Sequence, residues 1–294
     1  MPKLFIPLSE HFPGRVTYRG MGHLEEIKKR FGEMGLLERV KESPFKQFFL
    51  APEFQFSGVL VHQLLLRKIS TKSDEEVHFL LGTKTCRFGL GEFALVTGLN
   101  FGAGPSQAEL EEHLSCDRLV NDYFNDAEKV KLSQLEDAFN KCTVVEDVYK
   151  LGLCFFVEGV LNGMEDKLNI RSDLLRIVED LEFFFNYPWG KYSYKKLLGS
   201  CKKDMERQKA LYEKKKGGEK VQKESKYTFY GFAPALQYWA FEAVQQLAQE
   251  FAVRGGYMVP RMLSWTVKKN REATRVSIAQ IFSKSNVSIN LLNN

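Results

Sequence analysis

The chain has 294 residues, 44% of them apolar and 13% aromatic, which excludes a disordered protein and allows one large or two modest packed domains. Its formal net charge of +5 is confined to one segment: ten Lys or Arg face five Asp or Glu between Lys202 and Lys226, and 32 basic and 32 acidic residues cancel elsewhere. Charge therefore argues against a broad nucleic-acid-binding face.

Residues 1–20, with Pro2, Pro7, Pro13 and Gly14, lack periodicity and are expected to form an extended lead-in. Leu24, Ile27, Phe31 and Met34 recur at helical spacing, and Gly35 is placed to end that helix. Phe45, Phe48, Phe49, Phe54 and Phe56 follow in a segment broken by Pro44 and Pro52, and are expected to pack back onto a core. Val77, Phe79 and Leu81 then alternate with His78 and Leu80, Gly82 to Thr85 supplies a turn, and Cys86 to Phe88 returns, which predicts a β-hairpin over about 77–88. Leu90, Phe93, Ala94 and Thr97 restore helical spacing, Gly98 is a natural left-handed stop, and Phe93, Val96 and Leu99 are expected in the core.

Leu132, Leu135 and Phe139 mark a further helix, and Val148 to Leu161 reads as one buried almost all round. Ser172 is placed to cap a helix whose apolar stripe runs from Leu174 through Ile177, Val178 and Leu181 to Phe184 and Phe185, with Pro188 as its stop. Ser193 caps the next in this reading, with Tyr194, Leu197, Leu198, Cys201 and Met205 on one face. Residues 208–226 read as a charged linker, with Lys214 to Gly218 interrupting any helix. Tyr227 to Phe232 is β-prone, Pro234 opens a long amphipathic helix reaching Gly255 and Gly256, and Val276 and Ile281 mark a last helical stretch. The expected fold is mainly α: a helical domain over 21–207 with one short hairpin before the Leu90 to Thr97 helix, and an aromatic segment and long helix over 227–294 packing back on it.

The run Arg87-Phe88-Gly89-Leu90-Gly91-Glu92-Phe93-Ala94-Leu95-Val96-Thr97-Gly98-Leu99-Asn100-Phe101-Gly102 carries a family resemblance. His62 to Arg67, Tyr123-Phe124, Glu146 to Leu153, Asp180 to Phe184 and Tyr187-Pro188-Trp189-Gly190 continue it in order, over about Val59 to Leu198. In these motifs the chain resembles the plant DUF1985 family, domains of unknown biochemical role typical of proteins encoded by transposable elements and often found upstream of a SUMO-protease-like cysteine peptidase. Gly89 and Gly91 depart from the pattern and are expected to weaken the local helix by roughly 1 kcal/mol each relative to alanine. The resemblance implies an accessory or interaction domain; the protein is expected to be intracellular, in the nucleus more than the cytoplasm.

The chemistry of the residues points the same way. A peptidase of that type needs a thiolate nucleophile next to Gly; Cys86, Cys116, Cys142, Cys154 and Cys201 are followed by Arg87, Asp117, Thr143, Phe155 and Lys202. They form no Cys-x-x-Cys pair, no signal-like apolar stretch opens the chain, and they read as reduced structural thiols of an intracellular, non-enzymatic protein. His11, His23, His62, His78 and His113 lack zinc-site spacing, and the stretch from Thr97 to Gly104 lacks the Gly-Lys-Ser/Thr ending of a phosphate loop, so neither a metal nor a cofactor is expected. The longest apolar run, Leu151 to Val157, is far shorter than the roughly 20 residues that cross a bilayer, so no membrane contact is expected.

Among the family marks, Arg87, Phe88, Glu92, Phe93, Thr97, Gly98 and Leu99, with Tyr187, Pro188, Trp189 and Gly190, read as structural residues. An exposed Trp189 would instead serve as a peptide or base anchor, and convergence of Trp189, Tyr230 and Trp239 on an open concave surface would favour binding. Lys202, Lys203, Arg207, Lys209, Lys214, Lys215 and Lys216 fit a nuclear import signal or a loose contact to nucleic-acid phosphates, although interleaved Asp204, Glu206, Glu213 and Glu219 dilute their field and leave a solvated linker as the simpler reading. The expected partner is a protein, with weak nucleic-acid binding as the rival.

Overall fold

The computed structural model describes residues 3–216, 223–268 and 275–284. Strand β1 (Gly14–Thr17) leads into α1 (Gly20–Glu33), and short helices α2 (Leu37–Lys41) and α3 (Lys46–Leu50) precede α4 (Gly58–Leu65). β2 (Lys68–Ile69), β3 (Val77–Leu81) and β4 (Lys84–Phe88) form an antiparallel sheet in that order. Next come α5 (Leu90–Thr97), α6 (Gln107–His113), α7 (Arg118–Phe124) and α8 (Leu132–Lys141). α9 (Val145–Phe155) runs on as a π-helical turn over Phe156–Leu161.

α10 (Leu174–Ile177), α11 (Leu181–Asn186), α12 (Trp189–Cys201) and α13 (Met205–Lys216) follow. β5 (Ser225–Thr228) pairs in parallel with β1, Gly14 opposite Ser225 and Thr17 opposite Thr228. α14 (Pro234–Ala243) and α15 (Gln245–Phe251) lead to a second hairpin, β6 (Ala252–Arg254) with β7 (Trp265–Val267), and then to α16 (Arg275–Ser283). This is the mainly helical fold, with a hairpin ahead of α5, that the periodicity predicts. Among the described residues no helix is long and apolar enough to cross a membrane.

The alternation in the first hairpin buries Val77, Phe79, Leu81, Cys86 and Phe88, and the rings of Phe79 and Phe88 each lie 5.5 Å from Trp239. α5 is joined to β4 by Glu92, whose carboxylate accepts from the Gly89 amide at 2.8 Å and from Arg87 at 2.9 Å. Gly89 is thus the N-cap, outside the helix, and brings none of the expected helix penalty. Gly98 stops the helix with a φ of 62°, and Phe93 and Val96 are fully buried with Leu99 beside them. The stretch from Leu151 to Leu161 is buried throughout, including Glu158, whose carboxylate accepts from the Asn162 side chain at 2.9 Å and from the Arg171 amide at 3.1 Å.

Several expectations are corrected by contacts distant in sequence. Residues of the lead-in are built into the body: Ile6, Phe12 and Val16 are buried, and β1 is held by β5. The helix expected from Ser172 to Phe185 is two helices, because the Asp180 carboxylate accepts from the Phe183 amide at 3.0 Å and caps α11 in mid-stripe. α12 starts at Trp189 and not at Ser193, whose buried hydroxyl donates to the Leu161 carbonyl.

The segment expected as a linker is helical as far as Lys216, because Met205 and Tyr212 are buried and Tyr212 stacks on Phe12 at 5.8 Å. Of its remainder, Val221 and its neighbours over 217–222 lie outside the described residues, and Ser225 onward is strand. The long helix expected after Pro234 is interrupted at Val244, which is extended, and ends at Phe251. The last helical stretch is α16; the rest of the tail, 285–294, lies outside the described residues.

Phe93 has no exposed surface, so its truncation to alanine is expected to remove about 3–5 kcal/mol of stability, read from urea unfolding monitored by circular dichroism. A loss under about 1 kcal/mol would show that α5 does not anchor the core.

Candidate functional site

The two family marks meet. The Gly190 amide donates to the Asn100 carbonyl at 2.9 Å, and the Asn100 side chain donates to the Asn186 carbonyl at 2.6 Å. A Cβ on Gly190 would lie 2.5 Å from the Phe101 ring and 2.7 Å from the Asn100 carbonyl oxygen, so only glycine admits this approach. Trp189 is buried and its indole N–H donates to the Phe184 carbonyl at 2.7 Å; Trp239 is buried too. Tyr187 covers Trp189 with ring centroids 4.5 Å apart and accepts from Arg171 at 2.8 Å. Thr97, fully buried, donates to the Phe93 carbonyl, and its own carbonyl accepts from Gln47. Arg87, Phe88, Glu92, Phe93, Thr97, Gly98 and Leu99 thus form, with Tyr187 to Gly190, one packed seam, and its aromatic rings other than those of Phe101 and Tyr187 are buried.

The basic residues separate into two groups. Arg207, Lys214 and Lys215 are exposed along α13, Lys209 pairs with Glu10 at 2.6 Å, and the side chain of Lys216 lies outside the described residues. Lys202 and Lys203 sit instead at the end of α12. Lys202 donates to the Asp74 carbonyl, and the half-buried Lys68 donates to the carbonyls of Cys201 and Lys203 at 3.1 Å each, which satisfies the C-terminus of α12 with a cation. Burial holds the Lys68 pKa down.

Lys203 turns to the other side, into a cleft of about 470 Å³ that it lines with Lys195, Lys196, Asn169 and Tyr230. Among the described residues no carboxylate lines this cleft and none of its three lysines is ion-paired. Lys196 lies 5.3 Å from the Tyr192 ring centre and Lys203 lies 5.7 Å from that of Tyr230. Burial lowers the Lys203 pKa, against a weaker opposing pull from Glu165. Glu165 itself is engaged by Lys167 at 3.1 Å and by Thr228 at 2.8 Å.

Tyr230 is brought to this wall by the turn that follows it. Gly231 has a φ of 77°, and a Cβ there would lie 2.4 Å from the Leu197 amide nitrogen. The turn therefore lies directly on α12, with the Tyr230 amide donating to Ser200 at 2.8 Å and the Gly231 amide to the Asn162 carbonyl at 2.7 Å. Lys195 and Lys196 carried no motif in the sequence; the signal available was their place on the exposed face of α12, one turn after Lys191.

Four of the five cysteines are buried, and Cys116 is exposed. Burial pushes the thiol of Cys86 up to about 11, that of Cys201 up to about 12, and that of Cys154 well above its ordinary value. Three of the histidines have separate partners: His23 the Gly159 carbonyl, His78 the Glu76 carboxylate, and His113 the Glu109 carbonyl, Asp180 and the Phe183 ring. His62, with no exposed surface, lies 2.9 Å from the Phe12 carbonyl through Nε2 and 2.8 Å from the Tyr227 hydroxyl through Nδ1. These partners assign the neutral ring with Nε2 donating and Nδ1 accepting.

Residues 65–200, just under half of the chain, match the model of a family described as a domain of unknown function, DUF1985. The matched stretch holds the hairpin, the seam and α12. No curated protein and no solved structure matches the chain.

Burial holds the His62 pKa down to about 4, against about 6.5 in an unfolded chain. Its contribution to stability is complete above about pH 6.5 and is lost as the pH falls toward 4, where the unfolded chain binds the extra proton. Glu136, pushed up to about 7 by burial and the neighbouring Glu26 charge, acts in the opposite sense. The test is therefore a difference: between pH 7 and 4.5 the urea midpoint of wild type should fall more than that of His62→Gln, and equal slopes would contradict the assignment.

Proposed function

We propose that this chain is a non-catalytic interaction module that receives an acidic segment of a partner protein in the lysine-lined cleft between α12 and Tyr230. One observation carries the reading: three lysines, without ion pairs among the described residues, face a concave surface that none of the described carboxylates lines. A carboxylate-rich peptide supplies the missing charge, and Tyr230 offers it an apolar ring. The non-catalytic part is supported by the buried thiols of Cys154 and Cys201, held in their protonated form, and by His23, His62, His78 and His113, each engaged in a hydrogen bond. In the setting that the sequence resemblance implies, a plant protein of transposable-element origin, such a module serves as the accessory part beside a SUMO-protease-like peptidase, and the import-like lysines of α13 would carry it to the nucleus.

Nucleic acid is the rival occupant, through the same lysines. The protein reading is favoured because the adjoining cleft, at the other side of Lys203, mixes Lys68 and Lys202 with Asp74, Glu76, Asp204 and Glu206. A continuous phosphate backbone leaving the lysine cleft on that side meets like charge, whereas a peptide of mixed sequence does not. Titration of a labelled Asp/Glu-rich peptide and of duplex DNA, at about 50 mM and about 150 mM salt, separates the two. The peptide is expected to bind, and Lys195→Glu with Lys196→Glu should weaken it about tenfold or more. Tighter binding of DNA at the higher salt, abolished by the same double variant, would transfer the site to the rival, and peptide affinity unchanged by the variant would remove the cleft from the account.

A further inference from the structure

A second cavity, of about 290 Å³, lies on another face between the residues before β1, the end of α4 and α16. Its polar lining comes from His11, Gln63, Arg67, Arg275 and Ser283, and among the described residues no acidic side chain lines it. Arg67 is the unusual member, a guanidinium only 2% exposed. One of its nitrogens donates to the Gln63 carbonyl and side-chain oxygen at 3.1 and 3.0 Å, and the other reaches toward the Ala279 carbonyl and the Ser283 hydroxyl at 3.3 and 3.4 Å. All of these acceptors are neutral. The last turns of two helices, α4 and α16, direct their partial negative charge at this guanidinium, which compensates a buried cation less than a counter-ion would.

The surroundings make the deficit larger. Arg275 lines the same cavity, and among the described residues neither arginine has a carboxylate within ion-pair distance. His11 contributes an Nε2 that is shut off from solvent and, among the described residues, has no hydrogen-bond partner within normal geometry, although the Ile6 and Leu66 backbone groups lie against its ring. Burial, with the Arg67 charge second, holds His11 near a pKa of about 4, and burial lowers the pKa of Arg67 to about 10, the response of cations that lack an anion. Two guanidinium groups and one imidazole thus face the cavity with no carboxylate beside them among the described residues.

We propose that this cavity binds a small oxyanion, a phosphate group, between Arg67, Arg275 and His11, and that the bound anion fastens α16 to α4. A tetrahedral oxyanion offers acceptors to both guanidinium forks and to the imidazole at once, since the three come from different elements around it. It also completes a contact that the protein makes only in part: Arg67 already ties α16 to α4 through two neutral hydrogen bonds and the Phe282 ring, 5.2 Å away. The site is independent of the lysine cleft and survives that reading's failure.

The test uses the full chain with inorganic phosphate as the probe, and sodium chloride at matched ionic strength as the control. Calorimetric titration to about 10 mM phosphate covers affinities down to the millimolar range, and hydrogen exchange of the α16 amides reads the fastening. Phosphate is expected to bind and to slow exchange in α16 severalfold, with chloride inactive. Arg275→Gln, at an exposed position outside the core, should leave the fold intact and abolish both effects. A second arm with AMP in place of phosphate locates the source: binding tighter than inorganic phosphate assigns a phosphomonoester, and binding no tighter assigns the free ion. Absence of heat and of α16 protection in wild type, or an unchanged response in Arg275→Gln, would overturn the proposal.

Discussion

The structure depends on a row of buried polar groups along α4 and just past its end. His62, Gln63 and Arg67 are each at most 2% exposed, and a buried donor left without an acceptor costs about 1–3 kcal/mol. Their hydrogen bonds must therefore be made within the protein, and several are made to residues far away in the chain. His62 is satisfied by Phe12 before β1 and by Tyr227 in β5, and Arg67 reaches α16. At the start of the helix the Ser57 amide donates to Gln237 of α14 at 2.7 Å, and Gln237 donates back to the Gln55 carbonyl at 3.1 Å. One short helix thus fixes four segments that lie outside the matched residues.

The same constraint explains why the seam is structural. Phe79 and Phe88 of the first hairpin close on Trp239, and the backbone at Gly98 lies so near Pro260 that a Cβ would come within 2.1 Å of its ring. The residues that carry the family resemblance are therefore covered by chain from 225 onward, and the aromatic platform that Trp189 could have offered is folded inward. What α12 leaves outside is charge. The lysine cleft is consequently the place where the matched stretch, ending at residue 200, meets both solvent and the turn at Gly231.

Local periodicity is legible in the sequence wherever neighbours in the chain decide the structure. Leu24, Ile27 and Phe31 give α1 its buried stripe, Val77, Phe79 and Leu81 give the hairpin its face, and Gly98 gives α5 its end. The failures share a cause. Ile6, Phe12 and Val16 carry no helical or strand period, and β1 exists because β5 lies alongside it in parallel, a pairing that no local pattern announces. Tyr212, one aromatic in a charged run, keeps α13 ordered by stacking on Phe12. Asp180 breaks a continuous apolar stripe by capping, which the stripe conceals.

The sites are less legible than the fold. Lys202 and Lys203 stand out as charge, yet the cleft needs Lys195, Lys196 and Tyr230, which gather through the α12 surface and the conformation of Gly231. His11, Arg67 and Arg275 come from opposite ends of the chain and share nothing but a cavity. The central claim is that the flanking segments and the matched stretch form one cooperative core. Urea unfolding of an excised fragment holding residues 65–200 tests it most directly, followed by far-ultraviolet circular dichroism beside the full chain. The account predicts that the fragment shows no cooperative transition, because Phe79, Phe88 and Arg67 lose their partners; a cooperative transition with the midpoint of the full chain would contradict it.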